Sequence, residues 1–309
     1  MSNNLKKFIV STSINPPTLA IKKFDNMPEW KLIVIGDKKT PKNYKLKNGL
    51  YLSPMDQVKI DKKLSDLIGW NCIERRNFGL IIAKKFDADI IALVDDDNIP
   101  YNSWGKNLII GKKIKAKFYN IKNNIFDPIF YTNYKELWHR GFPVNQIDER
   151  ENINFIEKHI IPDVQADFWN GDPDIDAICR MMLKPSCKFK NKYFPFFSKK
   201  LSPFNSQNTF LSKNVLPNYF LFPDQGRMHD IWASYYLQSK QKIHVVYNRP
   251  SVYQNRNKHN SITDLKNEFI GLKKTSNLID LINQKNFNIK NFFTKRAVKA
   301  FNIYKQHFK

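Results

Sequence analysis

The sequence predicts an α/β fold, in which helices flank a mixed β-sheet and a basic helical tail follows. The first half alternates short apolar runs with helical patterns, which is typical of successive β-α units. Hydrophobic residues make up 42% of the 309 residues, enough to bury a substantial core. We therefore predict one large α/β domain over residues 1–250 and a helical, basic extension over residues 251–309.

Short apolar runs and helical spacing locate the main elements of this domain. Strands are predicted at residues 8–13, 30–35, 89–94 and 242–247. Helices are predicted at residues 64–86, with a break near Gly69 and Trp70, at residues 230–238, and again after Asp264. Asp172 and Pro173 resemble a helix start, because acidic residues and proline favour the first turn. Between Gly111 and Phe204 the pattern weakens into aromatic-rich loops.

The net charge of the chain is +23, from 51 Lys and Arg against 28 Asp and Glu. Such an excess favours an anionic partner, which includes nucleotide phosphates, lipid head groups and nucleic acids. Codon bias is the alternative, since the sequence is rich in Lys, Asn and Ile and has only 10 Gly. No signature of a nucleic-acid-binding module is present, so a nucleic-acid partner is not expected.

Several other classes of protein lack support in the sequence. The three cysteines form no CxxC pair, which suits a reducing cytoplasm, and no run of eighteen apolar residues predicts a membrane span. The first residues lack the pattern of a secretory signal, so we expect a cytoplasmic protein. The motifs GxGxxG, GxxxxGK[ST], HExxH and GxSxG are absent, which argues against the simplest dehydrogenase, NTPase, zinc-protease and serine-hydrolase hypotheses.

Three consecutive carboxylates, Asp95, Asp96 and Asp97, follow the apolar run 89–94. Their mutual repulsion needs compensation, and a bound Mg²⁺ or Mn²⁺ would supply it through oxygen ligands. The end of a strand in an open α/β sheet is also where ligands bind. A solvated acidic turn or a helix cap is the alternative, and nucleotidyltransferases use paired aspartates as well.

Arg75, Arg76 and Asn77 lie about one helix before these aspartates. An arginine fork can pair with a pyrophosphate, and an asparagine can hydrogen-bond a ribose or a base. A solvated basic helix face is the alternative interpretation.

Three later clusters carry polar groups suited to sugars or to proton transfer. Asp172 and Asp174 could hydrogen-bond a sugar or simply cap a helix. Asn205, Gln207 and Asn208 suit sugar hydroxyls, although a plain polar loop has the same composition. Asp230, beside Trp232, is a candidate general base, and the adjacent His229 could be a ligand, a proton shuttle or surface.

Six of these segments, taken in order, resemble the GT-A-type glycosyltransferases, and specifically those similar to the STELLO proteins. The segments are 34–41, 70–79, 95–98, 172–177, 203–209 and 229–232. A looser similarity reaches the reversibly glycosylated polypeptides, which act as UDP-arabinopyranose mutases. The resemblance covers roughly residues 8–255.

The resemblance implies a Rossmann-like sheet that binds a nucleotide sugar, of the UDP type, beside a DxD-type metal site. Asp97 would ligate Mn²⁺ or Mg²⁺, and Asp95 would reach the metal or the ribose. The expected donor site comprises Asp37, Arg75, Arg76, Asn77, Asp95 and Asp96. The expected acceptor site comprises Asp172, Asp174, Asn205, Gln207, Asn208 and Trp232. Asp230, with His229, would be catalytic.

The function that follows is metal-dependent sugar transfer to a glycan or lipid-linked acceptor, as in polysaccharide biosynthesis. Inversion at the anomeric carbon is favoured, although nothing in the sequence excludes retention. The alternatives are a nucleotide-sugar mutase, which needs no acceptor, and a basic nucleic-acid-binding protein.

The tail after Asp280 contains no acidic residue. Its residues Phe293, Ala297, Phe301 and Tyr304 recur at helical spacing. A basic helix with aromatic anchors suits an anionic membrane surface, here the inner membrane face. The alternative is that this aromatic face packs on the α/β domain and the lysines are merely solvated.

Overall fold

An eleven-stranded mixed sheet lies at the centre of the computed structural model, which describes residues 5–255 and 260–309. Its strands are β1 (Lys7–Thr12), β2 (Lys31–Ile35), β3 (Leu50–Leu52), β4 (Ile90–Val94), β5 (Asn98–Pro100), β6 (Ile114–Phe118), β7 (Ile156–Ile160), β8 (Val164–Gly171), β9 (Phe196–Phe197), β10 (Asn208–Ser212) and β11 (Val245–Gln254). The predicted strands are all present, each beginning within a few residues of its expected start.

Helices pack on both faces of this sheet. They are α1 (Leu19–Asp25), α2 (Pro54–Ile60), α3 (Lys62–Ile68), α4 (Arg76–Lys85), α5 (Ala177–Leu183), α6 (His229–Lys240), α7 (Ser261–Asn283), α8 (Ile289–Phe292) and α9 (Lys295–Gln306). Gly79 lets α4 lie against β1, because a Cβ there would fall 2.3 Å from Val10 Cγ1. On the other face, Phe24 of α1 contacts Trp104, which packs on Phe210 of β10. The predicted α/β class, with helices flanking a mixed sheet, is thus confirmed.

The parallel part of the sheet has the strand order β3-β2-β1-β4, with β1 parallel to both of its neighbours. The chain therefore moves outward in one direction from β1 to β3, and in the other direction to β4. Such a reversal is a topological switch point, and ligands of open α/β sheets bind beside the carboxyl ends of its strands. The residues that follow β1 and β4 are thus brought together at one edge.

Antiparallel pairing of β10 with β4 extends this edge. Asn208 lies opposite Val94, so residues 205–207 approach the strand end beside Asp95. The amide of Asp95 donates to Gln207 O at 3.3 Å. β10 also pairs antiparallel with β8, which runs parallel to β11. The carboxyl ends of β8 and β11 therefore lie at the same edge as those of β1 and β4.

The predicted helix over 64–86 is divided where the sequence suggested a break. α3 ends at Gly69, which has a φ of +80°, a backbone conformation that favours glycine. α4 then begins at Arg76 after a short 3₁₀ turn.

The helix start predicted at Asp172 and Pro173 is wrong, because α5 begins only at Ala177. The Asp176 side chain is the cap and accepts from Cys179 N at 2.8 Å.

The C-terminal helices are part of the hydrophobic core. Phe293 stacks on Phe222 with ring centroids 4.0 Å apart, and the Tyr304 hydroxyl donates to Leu216 O at 3.0 Å. Phe301 is 2% exposed. The structure thus shows the packing alternative for the aromatic face of the tail. Among the described residues, no helix is both long and apolar enough to cross a lipid bilayer.

The boundary predicted between residues 250 and 251 falls inside β11, which runs without interruption from Val245 to Gln254. The cluster of buried core residues also includes side chains from both predicted parts, such as Ile279 of α7 and Trp232 of α6. The prediction that the first residues lack a secretory signal falls partly on residues 1–4, which lie outside the described residues.

Candidate active site at the switch point

A cavity of about 310 Å³ opens at the switch point, within the size range of small-molecule sites. We call it the switch-point cavity. Its lining residues come from the ends of β1 and β2, from the segment before α4 and from the aspartate run: Thr12, Ser13, Ile14, Asn15, Ile35, Gly36, Asp37, Asn71, Cys72, Ile73, Arg75 and Asp96. Three residues expected at the donor site, Asp37, Arg75 and Asp96, therefore share one cavity.

Asp96 is held at the cavity by the loop that follows β1. Its Oδ2 atom accepts from Ser13 Oγ at 2.6 Å and from Asn15 Nδ2 at 3.1 Å. The Thr18 hydroxyl, which also caps α1, donates to the backbone carbonyl of Asp96. These contacts join the ends of β1 and β4 and fix the carboxylate in one orientation.

Asp37 occupies the end of β2 and is 5% exposed. Its carboxylate accepts from the amides of Lys38, at 2.6 Å, and Cys72, at 3.2 Å. The Asp37 amide donates to Thr40 Oγ1 at 2.7 Å, which closes the turn after the strand. Backbone amides thus hold a carboxylate on the wall of the cavity, where it can accept from a ligand.

The Arg75 side chain is fully buried at the cavity wall. Its Nε donates to Gln57 Oε1 at 2.7 Å and its Nη1 donates to Ser65 and Gly69, while Trp70 stacks on the guanidinium with 3.7 Å between Cζ and the ring centroid. Nη2 has no hydrogen-bond partner among the described residues. Burial lowers the pKa of Arg75 to about 10, so the group is charged at neutral pH. A buried cation with an unfilled donor favours an anionic ligand.

Asp95 and Arg76 form an ion pair instead of lining this cavity. Arg76 is fully buried, and its Nη2 donates to Asp95 Oδ1 at 2.6 Å and to Thr12 Oγ1 at 3.1 Å. Burial and the neighbouring Asp96 and Asp230 carboxylates raise the pKa of Asp95, and Arg76 opposes them. Arg76 thus supplies much of the charge compensation that the aspartate run requires.

Asn77, expected to face a nucleotide, is used for packing. Its side chain exchanges hydrogen bonds of 2.9 and 3.0 Å with the backbone carbonyl and amide of Leu221. It is fully buried, so its side chain lies away from solvent.

The Asp95–Arg76 pair is one end of a buried ion network that reaches the later motifs. Arg76 Nη1 donates to Ser206, whose amide and hydroxyl donate to Asp230 Oδ2 at 3.0 and 3.1 Å. Arg140 then bridges Asp230, at 3.0 and 3.2 Å, and Asp174, at 2.7 and 2.9 Å. We define the buried ion network as Asp95, Arg76, Ser206, Asp230, Arg140 and Asp174.

Asp230 therefore lies in an environment that does not suit a general base. It is 2% exposed, and although burial alone would raise its pKa, Arg140 and His229 hold the pKa of Asp230 well below its ordinary value. Burial also opposes Arg140 at Asp174, whose pKa falls to about 2. A general base needs a pKa near the working pH. Asp230 is thus ionised at neutral pH, and it holds Arg140 in place through two hydrogen bonds.

The remaining catalytic and acceptor candidates have structural contacts. The His229 side chain is 12% exposed, and its Nδ1 donates to Gly226 O at 2.7 Å. Trp232 is fully buried and its Nε1 donates to Thr275 Oγ1 of α7 at 3.0 Å. Asp172 is paired with Arg180 near the end of β8.

Residues 205–208 also form hydrogen bonds with other groups inside the protein. Asn205 Nδ2 donates to Asp174 Oδ2 at 2.8 Å, and Asn208 accepts from Trp104 Nε1 at 2.9 Å. Gln207 is 8% exposed, and its backbone carbonyl accepts from Asn98 Nδ2 at 2.7 Å. These residues join the strand ends to one another.

The aspartate run was also expected to bind a metal. Among the described residues, no group of three or more His, Cys, Asp or Glu side chains is arranged to hold a metal ion. Asp95 is committed to Arg76, and Asp96 to Ser13 and Asn15. Mg²⁺ is commonly held by one or two carboxylates together with substrate phosphates. A cation that arrives with a diphosphate would therefore need only one or two carboxylates of the run.

Sequence reasoning missed several residues that organise this site. Ser13 and Asn15 could have been found, because the loop after β1 must lie beside the end of β4 at a switch point. Trp70 was expected at a helix break and in the matching segment 70–79, but no contact with Arg75 was predicted. Arg140 had no local signal, since its partners Asp174 and Asp230 are distant in sequence and come together only through the fold.

Comparison with known proteins supports a relationship to one group. No family model matches the chain. The probable glycosyltransferase STELLO2 of Arabidopsis thaliana is 23% identical over 190 residues, which cover 56% of this chain and 24% of that protein. The probable glycosyltransferase STELLO1 of the same plant is 23% identical over 223 residues, covering 66% of this chain and 29% of that protein. The chain thus matches only 24% and 29% of the length of these two relatives.

A solved structure, glucosyl-3-phosphoglycerate synthase from Mycobacterium tuberculosis in complex with phosphoglyceric acid, aligns with a TM-score of 0.41 and 11% identity. The alignment covers 88% of this chain and 78% of that one. The resemblance to the STELLO proteins that the six ordered segments indicated is confirmed by the sequence comparison: this chain is STELLO-like.

Proposed function

We propose that the chain is a GT-A-type glycosyltransferase that takes a nucleotide-sugar donor, specifically a UDP-sugar, into the switch-point cavity. The observation that carries this proposal is the cavity itself, which lies at the switch point and has the buried Arg75 guanidinium and the Asp37 and Asp96 carboxylates in its walls. The similarity to proteins named probable glycosyltransferases supports the same activity.

The charges in the cavity suit a nucleoside diphosphate. The Arg75 guanidinium places a positive charge in the cavity wall, which favours a phosphate, and Trp70 keeps the guanidinium plane fixed. Asp37 presents a carboxylate to N–H or O–H donors of the nucleoside. Asp96 lies at the β4 side of the cavity, where it can accept from a sugar or ribose hydroxyl.

A divalent cation, Mn²⁺ or Mg²⁺, fits this edge together with the donor's phosphates. Asp97 would hold it, and Asp95 would be a second ligand once its ion pair with Arg76 opens. When bound, the cation supplies Lewis-acid stabilisation of the leaving diphosphate. Chelation by EDTA should then abolish transfer, and full activity in EDTA would remove the metal from the proposal.

In the reaction we propose, a hydroxyl of a glycan or lipid-linked acceptor replaces the nucleotide at the anomeric carbon, with inversion. The new C–O bond forms as the bond to the diphosphate breaks, and the acceptor proton passes to water. Asp96 and Asp37 orient the donor, and Arg75 neutralises the charge that grows on the leaving diphosphate. Asp230 does not take the acceptor proton in this scheme, because its position in the buried ion network makes it a positioning residue.

The first experiment is a thermal-shift screen with UDP-, GDP-, CMP- and dTDP-sugars in the presence of Mn²⁺. A ligand at about 100 times its Kd adds about 2.7 kcal/mol, which for 309 residues is a shift of about 4 °C. Arg75→Lys should lose most of the shift, because an ammonium cannot reproduce the fork. Lys63→Arg, on the exposed surface of α3, is the control and should keep it. If none of the four classes stabilises the protein, the proposal fails.

Product analysis separates transfer from the alternatives. A mutase would release an isomerised nucleotide sugar without any acceptor, whereas a transferase releases nucleotide in proportion to glycan formed. A protein that binds nucleic acid in a low-salt filter assay and shows no affinity for nucleotide sugars would support the nucleic-acid alternative instead.

A further inference from the structure

A second, larger cavity lies under the segment 103–109, on the face of the sheet that carries Trp104. Its volume is about 550 Å³, and it is lined by β8, by the start of β6 and by a bulge in β11. We call it the bulge cavity. None of the residues expected at the donor or acceptor site lines it, and it shares no lining residue with the switch-point cavity.

A buried carboxylate, Asp167, forms part of the wall of the bulge cavity. It is 5% exposed, and its Oδ1 accepts from Gln165 Nε2 at 2.8 Å and from Asn248 Nδ2 at 3.0 Å. No Lys, Arg or His nitrogen of the described residues lies within 4.0 Å of its carboxylate. Burial raises the pKa of Asp167 to about 6. A carboxylate that the fold buries in a cavity without a cation is a costly feature that a ligand can explain.

The groups around Asp167 are held by a fixed frame. Gln165 Oε1 accepts from Ile109 N at 2.9 Å, which ties the covering segment to β8. The β11 register shifts between Asn248 and Val252, and this bulge carries Ser251, whose Oγ accepts from Asn208 Nδ2 at 2.9 Å. Bulges of this kind re-aim side chains beside functional sites. The polar groups are therefore preorganised before any ligand binds.

The chemistry of the lining indicates the class of ligand. Carboxylate, amide and hydroxyl groups in the wall, from Asp167, Gln165, Asn248 and Ser251, can accept from and donate to neighbouring hydroxyls. At the mouth, Arg249 is an exposed cation that favours an anionic substituent, and Lys115, which is paired with Glu157, lies beside it. Isoleucine and proline side chains supply the apolar surface that the C–H face of a sugar ring needs.

We propose that the bulge cavity is a second binding site, which takes a sugar carrying an anionic group such as a phosphate. The sugar hydroxyls bind Asp167, Gln165 and Asn248 in the depth, and the anionic group lies beside Arg249 and Lys115 at the mouth. This site is independent of the nucleotide-sugar site, so the inference stands whether or not the proposed transfer reaction is correct.

The experiment is saturation-transfer NMR on the full chain with neutral hexoses, hexose 6-phosphates and inorganic phosphate, each at millimolar concentration. We expect hexose phosphates to bind best, neutral hexoses to bind more weakly and phosphate alone to bind least. Asp167→Asn should weaken sugar binding about tenfold, the loss of one charge-assisted hydrogen bond. Arg249→Ala should weaken only the phosphorylated ligands.

Two controls make the result specific. Asp163→Asn changes a carboxylate just before β8 that does not line the bulge cavity, and it should leave sugar binding unchanged. Nucleotide binding at the switch-point cavity, measured on the same samples, should also be unchanged in Asp167→Asn and Arg249→Ala. The proposal is overturned if no sugar or sugar phosphate binds, or if both variants bind as the unmodified protein does.

Discussion

The buried ion network makes a prediction that separates a structural role for Asp230 from a catalytic one. Replacing Asp230 by asparagine keeps its size and one acceptor oxygen, but it removes the charge that faces Arg140. Arg140 would then retain a single carboxylate partner, Asp174. The guanidinium is 3% exposed, so water cannot take the place of the lost carboxylate.

The expected loss of stability in Asp230→Asn follows from the charges of the network. Breaking a buried pair by removing one partner typically costs about 3–5 kcal/mol. Because Asp174 stays bound to Arg140 and the new amide oxygen can still accept from Ser206 N, we expect the lower end, about 3 kcal/mol. With an unfolding entropy of about 2.1 cal/mol/K per residue over 309 residues, the midpoint of thermal unfolding falls by about 5 °C.

The pH dependence gives a second, independent readout. The folded pKa of Asp230 lies below its ordinary value of 3.8, so its carboxylate stabilises the fold above about pH 4 and this contribution is lost as the pH falls further. The difference in unfolding free energy between the unmodified protein and Asp230→Asn should therefore shrink below about pH 4. Calorimetry or urea denaturation at several pH values measures it.

The control for this experiment is Asp172→Asn, whose side chain is 27% exposed and paired with Arg180. It should cost less than Asp230→Asn, because solvent reaches the Asp172 carboxylate and can take the place of part of the lost charge. If Asp230→Asn keeps the midpoint of the unmodified protein while turnover falls by about 10²–10⁴-fold, Asp230 is the general base and the structural argument is refuted.

Two further outcomes are expected from other regions. Phe301→Ala should destabilise the protein by about 3–5 kcal/mol in urea, because the ring is buried among the aromatic side chains of the core, whereas the exposed neighbour Asn302→Ala should cost little. A large loss for Asn302→Ala, or none for Phe301→Ala, would contradict the observed packing of α9. Below about pH 4 the Asp167 carboxyl is uncharged in both the folded and the unfolded state. Between about pH 4 and pH 6 it ionises more readily in the unfolded state, so the buried group increasingly destabilises the fold. Asp167→Asn should thus raise the free energy of unfolding at pH 7, by at most about 3 kcal/mol, and lose that gain at pH 4. If Asp167→Asn is less stable than the unmodified protein at pH 7, the buried carboxylate does not destabilise the fold.

The sequence predicted well those elements that depend on local pattern. The apolar run 89–94 had to be a buried strand, and its position before three aspartates placed a polar edge at its carboxyl end. The division of the helix at Gly69 was also visible, since a glycine there permits the left-handed backbone. Local signals failed where capping decided the boundary, as at Asp176, because several acidic residues in a row fit a first turn equally well.

The roles within the candidate site were harder to predict, for a physical reason. Composition shows that Arg75, Arg76 and Asn77 are polar, but burial determines which of them can meet a ligand. α4 turns Arg76 and Asn77 into the interior, where Asp95 and the Leu221 backbone bind them. Only the contacts between distant segments distinguish these two residues from Arg75.

The difference between buried residues and residues that line the cavity changes how a loss of function at these motifs should be interpreted. Arg76, Ser206 and Arg140 connect the aspartate run to α6 through hydrogen bonds between buried groups. Because half-satisfied buried charge is expensive, loss of any member disturbs the strand end that carries Asp96. A substitution in the network can therefore abolish activity without touching a substrate. Only a loss of binding in a variant that keeps its stability identifies a residue that contacts the donor.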